Sequence, residues 1–196
     1  PDGIDREKLD YIMELKNLYR GRIREYAEKY GVKYVPVNPA ERTCDAIDCS
    51  YNDTTSVDIV IGKTVSYKGI SMNVKEIMPY ALYANKKIKS VKFENEGNIG
   101  DYAFTGCTAL QTADISNEGN IGDYTFSGCT ALETASVSNK GNIGDYAFSG
   151  CTALTTVNIS NKGSIGEYAF KNCSKLSKID FSKKLIFRHP FLLKAR

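Results

Sequence analysis

The chain has 196 residues, 42% of them hydrophobic and 25% charged, a composition that excludes a disordered chain. No run approaches the roughly eighteen apolar residues of a membrane helix, and the first residues, PDGIDREK, are charged and lack the apolar stretch of a secretory leader. The net charge of +3 comes from the last fourteen residues, which carry +5 and leave the remainder at −2, so no general affinity for nucleic acid is read from it.

Leu9, Ile12, Leu15, Tyr19, Ile23, Tyr26 and Tyr30 recur every three or four residues, which predicts an α-helix within residues 1–31. Asp5 suits its N-cap, Ile4 and Leu9 a hydrophobic staple, and Gly31 its C-terminal stop. Lys16, Arg20, Arg22 and Arg24 give it a solvated basic face. Its expected role is to pack on the first coil of the array downstream or to pair two molecules. Residues 32–56, with Pro36, Pro39 and many polar residues, read as a connector. Cys44 and Cys49 within it are spaced for either a local disulfide, which would mark an oxidising compartment, or two free thiols.

From Val57, the segment VDIVIGKTVSYKGISMNVKEI alternates apolar residues around Lys68-Gly69 and predicts a β-hairpin that leads into a repeat array. The array copies itself every twenty-two residues, from NIGDYAFTGCTALQTADISNEG at Asn98 through two near-identical copies at Asn120 and Asn142. A looser copy starts at Ser164, and an earlier one, EIMPYALYANKKIKSVKFENEG, at Glu76. A fixed period of this length is the signature of a solenoid, in which each unit buries its apolar face only against its neighbours.

Aligned, the copies give five inward columns. They are headed by Ile99, Phe104, Leu110, Ala113 and Ile115, with Ile77, Leu82, Ile88, Val91 and Phe93 as their equivalents in the earlier unit. The period-two ending predicts a short strand per unit and a parallel sheet between units. Its outward positions are Thr112, Asp114 and Ser116, then Thr134, Ser136 and Ser138, then Thr156, Asn158 and Ser160. Gly97, Gly119, Gly141 and Gly163 close the units, where positive φ is expected. Cys107, Cys129, Cys151 and Cys173 form a parallel ladder that cannot converge on a metal and reads as buried thiols. Tyr80, Tyr102, Tyr124, Tyr146 and Tyr168 read as a structural spine with solvated hydroxyls. Asp101, Asp123, Asp145 and Glu167 are expected to cap turns or solvate that edge.

The last segment, residues 183–196, joins Leu185, Ile186, Phe187, Phe191, Leu192 and Leu193 to five basic groups. An open solenoid needs its terminal coil covered, so a cap is expected. The rival is an exposed amphipathic segment that binds a partner or an anionic membrane surface. Asn-x-Ser/Thr sequons stand at Asn52, Asn158 and Asn172.

The unit IGDYAFSGCTAL followed by TTVNIS resembles the BspA-like, or Treponema pallidum-type, leucine-rich repeat, and Val57 to Tyr83 resembles the opening of that family's arrays. The resemblance covers residues 57–182, departing only where Ser-Asn-x-Gly replaces the family's frequent Ile-Pro. It implies a cell-surface or secreted protein of a host-associated microbe, used for adhesion or ligand binding. The fold class expected is a predominantly β, α/β-repeat solenoid: a short leucine-rich-repeat array with a parallel sheet over residues 57–182, preceded by the helix.

An enzyme is not expected. His189 is the only histidine and lies in the tail, and the sequence holds no phosphate loop, dinucleotide fingerprint or HExxH pair. No cofactor or metal is expected. The leading reading is a binding module that presents the nine outward residues to a protein or glycan, host extracellular matrix included. The face, rich in hydroxyls and nearly neutral, does not suit nucleic acid. Its exposed positions drift from unit to unit while the inward columns hold. The alternative is a self-assembling scaffold joined through the solenoid ends or the N-terminal helix.

Overall fold

The computed structural model describes residues 27–29, 32–38, 41, 43–49 and 57–181. Its strands, in chain order, are β1 Ala27–Lys29, β2 Val32–Asn38, β3 Thr43–Cys49, β4 Val57–Ile61, β5 Thr64–Tyr67, β6 Ile70–Ile77, β7 Ile88–Phe93, β8 Thr112–Ile115, β9 Thr134–Val137, β10 Thr156–Ile159 and β11 Lys178–Phe181. They form two sheets, ordered β1-β2-β3-β6-β5 and β11-β10-β9-β8-β7-β4.

The first sheet departs from the sequence reading. No helix occurs among the described residues, and Ala27–Lys29, at the end of the expected helix, pairs antiparallel with Val32 to Tyr34. The rest of that helix lies outside the described residues. The expected connector holds two strands, because Val32 and Tyr34 alternate inward and are buried beside Cys44 and Ala46. Pro36 argued against a strand, since it cannot donate to a ladder. It is tolerated because no described residue pairs with Pro36 on the β1 side, and the β2–β3 register shifts between Pro36 and Asn38. Cys44 is a free, buried thiol, its Sγ 3.5 Å from the Asn73 carbonyl, so it does not bridge to Cys49.

The hairpin is where the alternation placed it. β5 and β6 pair antiparallel about Lys68 and Gly69, with φ of 48° and 79°. Two successive left-handed residues make the turn whose twist matches a two-residue hairpin. The hairpin belongs to the first sheet, while β4 joins the second sheet, parallel to β7.

The second sheet is the solenoid. Val91, Ala113, Ala135, Val157 and Ile179 pair in one row, and Phe93, Ile115, Val137, Ile159 and Phe181 in the next. On the far side of each coil Ile77, Ile99, Ile121, Ile143 and Ile165 are linked by single parallel bridges. Around this corner the amides of Ile121, Tyr124, Phe126 and Gly128 donate to the carbonyls of Asn142, Asp145, Ala147 and Ser149, and each earlier and later coil pair repeats the pattern. Both sides of the solenoid are thus hydrogen-bonded coil to coil, which makes the scaffold rigid.

Through Phe170 the five inward columns are buried, and in the last coil Leu176 and Ile179 are only partly covered. Phe104, Phe126, Phe148 and Phe170 stack with centroids 5.1 to 5.4 Å apart. A sixth inward column went unread. Asn95, Asn117, Asn139 and Asn161 are buried, and the Nδ2 of Asn139 donates to the carbonyls of Gly119 and Gly141 at 3.1 and 3.0 Å. This carboxamide ties the turn of one coil to the next, which is what Ser-Asn-x-Gly supplies. Outside it, Asn98, Asn120 and Asn142 accept from the amides of Asn120, Asn142 and Ser164 at 2.8 Å.

The closing glycines are required for a different reason from the one expected. Positive φ falls on Gly106, Gly128 and Gly150 and on all five ladder tyrosines, not on Gly97, Gly119, Gly141 or Gly163. At Gly141 a Cβ would lie 2.7 Å from the backbone of Gly119. Close approach of the coils, not φ, fixes glycine there.

Candidate binding face

Each strand of the array turns alternate side chains outward, because the pleat has a period of two. In β8 and β9 the pattern is exposed, buried, exposed, buried. Thr112, Asp114, Ser116, Thr134, Ser136, Ser138, Asn158 and Ser160 are exposed and Thr156 is half-buried. The register sets them in rows: Thr112 beside Thr134 beside Thr156, and Asp114 beside Ser136 beside Asn158. With strands about 4.8 Å apart, these residues form a regular lattice of short polar side chains.

The rows extend further than the sequence reading took them. Asp58 and Ser90 precede Thr112, and Lys92 precedes Asp114. Ser90 Oγ donates to Asp58 Oδ1 at 2.6 Å, and Lys92 pairs with Glu94 at 2.7 Å. At the other end Lys178 pairs with Asp180 at 2.8 Å. The outward residues of β9 and β10 carry no ionisable group, so a neutral centre lies between two paired rims. The signal for the extension was the Glu76 unit, whose outward positions could have been counted with the rest.

Side-chain hydrogen bonds pin part of the lattice. Ser116 Oγ donates to the Phe93 carbonyl at 2.8 Å and Ser138 Oγ to that of Ile115 at 3.4 Å. Short side chains on such a sheet lose little freedom when a ligand arrives. A surface of this kind can donate, accept and make flat contact. Among the described residues no group of three His, Cys, Asp or Glu could hold a metal ion.

The remaining repeat columns are structural. Cys107, Cys129, Cys151 and Cys173 are free and buried, their Sγ atoms 3.1 to 3.2 Å from the carbonyls of Leu82, Phe104, Phe126 and Phe148. The five tyrosines stack with centroids 4.8 to 5.1 Å apart. Tyr80 and Tyr102 are buried and Tyr168 is 45% exposed. Asp101, Asp123 and Asp145 accept from the amides of Asp123, Asp145 and Glu167 at 2.7 to 2.9 Å, so each carboxylate caps the next coil.

Burial raises the Cys129 and Cys151 thiols well above their usual range and raises Cys44 to about 12. A thiol whose folded pKa is raised contributes fully below its unfolded value of about 8.5 and loses that contribution as pH climbs beyond it. The urea midpoint of the chain is therefore expected to hold steady to about pH 8 and fall toward pH 10. Replacing Cys129 and Cys151 by alanine should flatten that fall, and an unchanged profile would contradict this origin.

Residues 63–177 match the family described as BspA type Leucine rich repeat region, in six copies. The fold is similar to the crystal structure of a Treponema pallidum leucine-rich repeat protein, at 23% identity and a TM-score of 0.64, over 79% of this chain and 71% of that one. It is also similar to a leucine rich cell surface protein of Faecalibacterium prausnitzii, at 22% identity and a TM-score of 0.60, over 80% of this chain and 42% of that one. A leucine-rich repeat protein of Bacteroides capillosus matches at 16% identity and a TM-score of 0.54, over 82% of this chain and all of that one. Two enzymes match over short stretches. Glutamate dehydrogenase of Bacteroides thetaiotaomicron is 80% identical over 46 residues, and NAD(P)-specific glutamate dehydrogenase of Xylanibacter ruminicola is 83% identical over 35. These stretches cover 23% and 18% of this chain but only 10% and 8% of those proteins, too little to hold a catalytic domain.

Proposed function

Since the chain belongs to the BspA type leucine-rich repeat family, we propose that it is a non-catalytic binding module, displayed at the cell surface or secreted, that adheres to a macromolecular ligand through its outward strand face. The observation that carries this reading is the lattice itself, in which Thr134, Ser136, Thr156 and Asn158 stand in register on a sheet bonded to coils on both sides. Of its three outward rows the middle one varies, from Asp114 to Ser136 to Asn158, while the threonine and serine rows repeat and the buried columns beneath stay apolar. The neutral, hydroxyl-rich centre favours a protein or glycan ligand, with host extracellular matrix as the first class to test.

Ser136→Lys, Thr156→Lys and Asn158→Lys together place three ammonium groups in the centre of the face without touching the core. On an array of glycans and matrix proteins, the native chain is expected to give discrete positives that the triple variant loses by about tenfold or more. Retention of those positives by the variant would end the assignment.

A further inference from the structure

The outward rows have a period, and the period selects among ligands. The ring stacks measure it: the tyrosines stand 4.8 to 5.1 Å apart and the phenylalanines 5.1 to 5.4 Å. Strands hydrogen-bonded in a sheet have nearly the same spacing, about 4.8 Å. The coils therefore fan apart little between the strand side and the far corner, and the outward rows stay in step from β8 to β10. Two rows keep one residue type throughout, Thr112, Thr134 and Thr156 in one and Ser116, Ser138 and Ser160 in the other. A ligand that crosses the strands meets the same groups at every step of about 5 Å.

The side chains on this face narrow the choice further. Binding energy between proteins concentrates in buried Trp, Tyr and Arg anchors, and the outward residues of β8, β9 and β10 include no aromatic, arginine or large apolar side chain. The exposed large apolar side chains among the described residues, Ile70, Met78 and Tyr168, lie outside those strands. An extended polypeptide laid across the sheet repeats one face every second residue, about 6.6 Å, and loses step with the coils within two strands. Hydroxyl-bearing chains meet the rows differently. Ser116 and Ser138 use their own protons on the carbonyls of Phe93 and Ile115, which leaves their oxygen lone pairs as acceptors. Ser136 and Asn158, in the row beside them, can both donate and accept.

Taking the strand face as the binding surface, we propose that its ligand is an extended, uncharged polysaccharide of β-1,4-linked sugars, lying across the strands with about one sugar per coil. In such chains the links leave each ring equatorially. The sugars then advance in nearly straight steps close to the coil spacing and offer ring hydroxyls along both edges at every step. An α-1,4-linked glucan coils instead, so a sugar seated on one strand leaves the next out of place. Each seated sugar contributes little alone, and the chain gains by the number seated together. The ion pairs Lys92–Glu94 and Lys178–Asp180 bound the neutral centre, so the gain stops once the ligand spans it.

The test is titration calorimetry of the full chain with cellohexaose, mannohexaose and xylohexaose, with maltohexaose as the coiled counterpart of the first. At least one of the three extended hexaoses is expected to bind about tenfold or more tighter than its own disaccharide, and maltohexaose to give no heat. Silence from all three, equal binding of maltohexaose, or a disaccharide as tight as its hexaose would overturn the proposal. The variant carrying Ser136→Lys, Thr156→Lys and Asn158→Lys separates this proposal from the reading on which it rests. If that variant loses matrix-protein positives of the native chain while no hexaose binds the native chain, the strand face stands and the polysaccharide falls. If a hexaose binds the variant as tightly as the native chain, the face falls with it.

Discussion

Truncating Phe126 to alanine is expected to destabilise the chain by about 3–5 kcal/mol, read as a fall in urea midpoint at unchanged slope. The ring is fully buried, with Phe104 and Phe148 on its two sides at 5.3 and 5.1 Å and Phe93 tilted at 6.3 Å. The cavity cannot collapse, because the coils beside it are held by the Phe104-to-Thr125 and Phe126-to-Ala147 backbone bonds at 2.9 and 2.7 Å. In a solenoid stability is a sum of unit and nearest-neighbour terms, so position in the array matters. Phe170 stacks on one described ring only, and Phe170→Ala is expected to cost less than Phe126→Ala. Equal costs would mean that the column is not a chain of pairwise contacts.

The second large effect separates two kinds of glycine. At Gly144 a Cβ would lie 2.6 Å from the Gly122 carbonyl carbon and 2.7 Å from the Asp123 amide nitrogen, and neither can move without parting the coils. Gly144→Ala is therefore expected to cost about 3 kcal/mol or more, at the upper end of overpacking penalties. Gly128 has φ of +70° but open space, its nearest contact 3.9 Å away. Gly128→Ala should cost only the left-handed penalty of about 1–2 kcal/mol. Thermal melts of the two variants decide the order. If Gly128→Ala were the more damaging, close stacking would not be what holds the corner glycines in place.

That contrast also marks where the sequence was readable. Period gave the solenoid, because columns such as Ile99, Ile121, Ile143 and Ile165 can recur at a fixed interval only if each unit meets its neighbour in the same way. Alternation gave the outward face for the same reason, and the Lys68-Gly69 turn chemistry gave the hairpin. The glycines were misread, since sequence shows that glycine is needed but not whether φ or proximity needs it. The tyrosine ladder takes positive φ at a residue type that rarely adopts it, so no local preference announces it. Asn117 and Asn139 stand two residues before the closing glycines, and only the stacked geometry reveals their carboxamides inside, serving two coils at once. The strands at 32–38 and 43–49 were obscured by Pro36, whose cost depends on whether a neighbouring strand reaches it, a tertiary fact. For the candidate face, the rows across β8 to β10 were legible, Ser90 and Lys92 could be counted from the Glu76 unit, and only Asp58 required the observed pairing of β4 with β7.

The proposed function assigns the ligand to the outward strand lattice and to no other side of the solenoid. Two equally folded triple variants, compared on the same glycan and matrix-protein array, separate these surfaces. One carries Ser136→Lys, Thr156→Lys and Asn158→Lys on the strand face; the other carries Thr130→Lys, Thr152→Lys and Ser174→Lys, at exposed positions outside the strands. Matched melting temperatures set the two on equal footing. The first is expected to lose the positives of the native chain and the second to keep them; loss by the second with retention by the first would contradict the assignment.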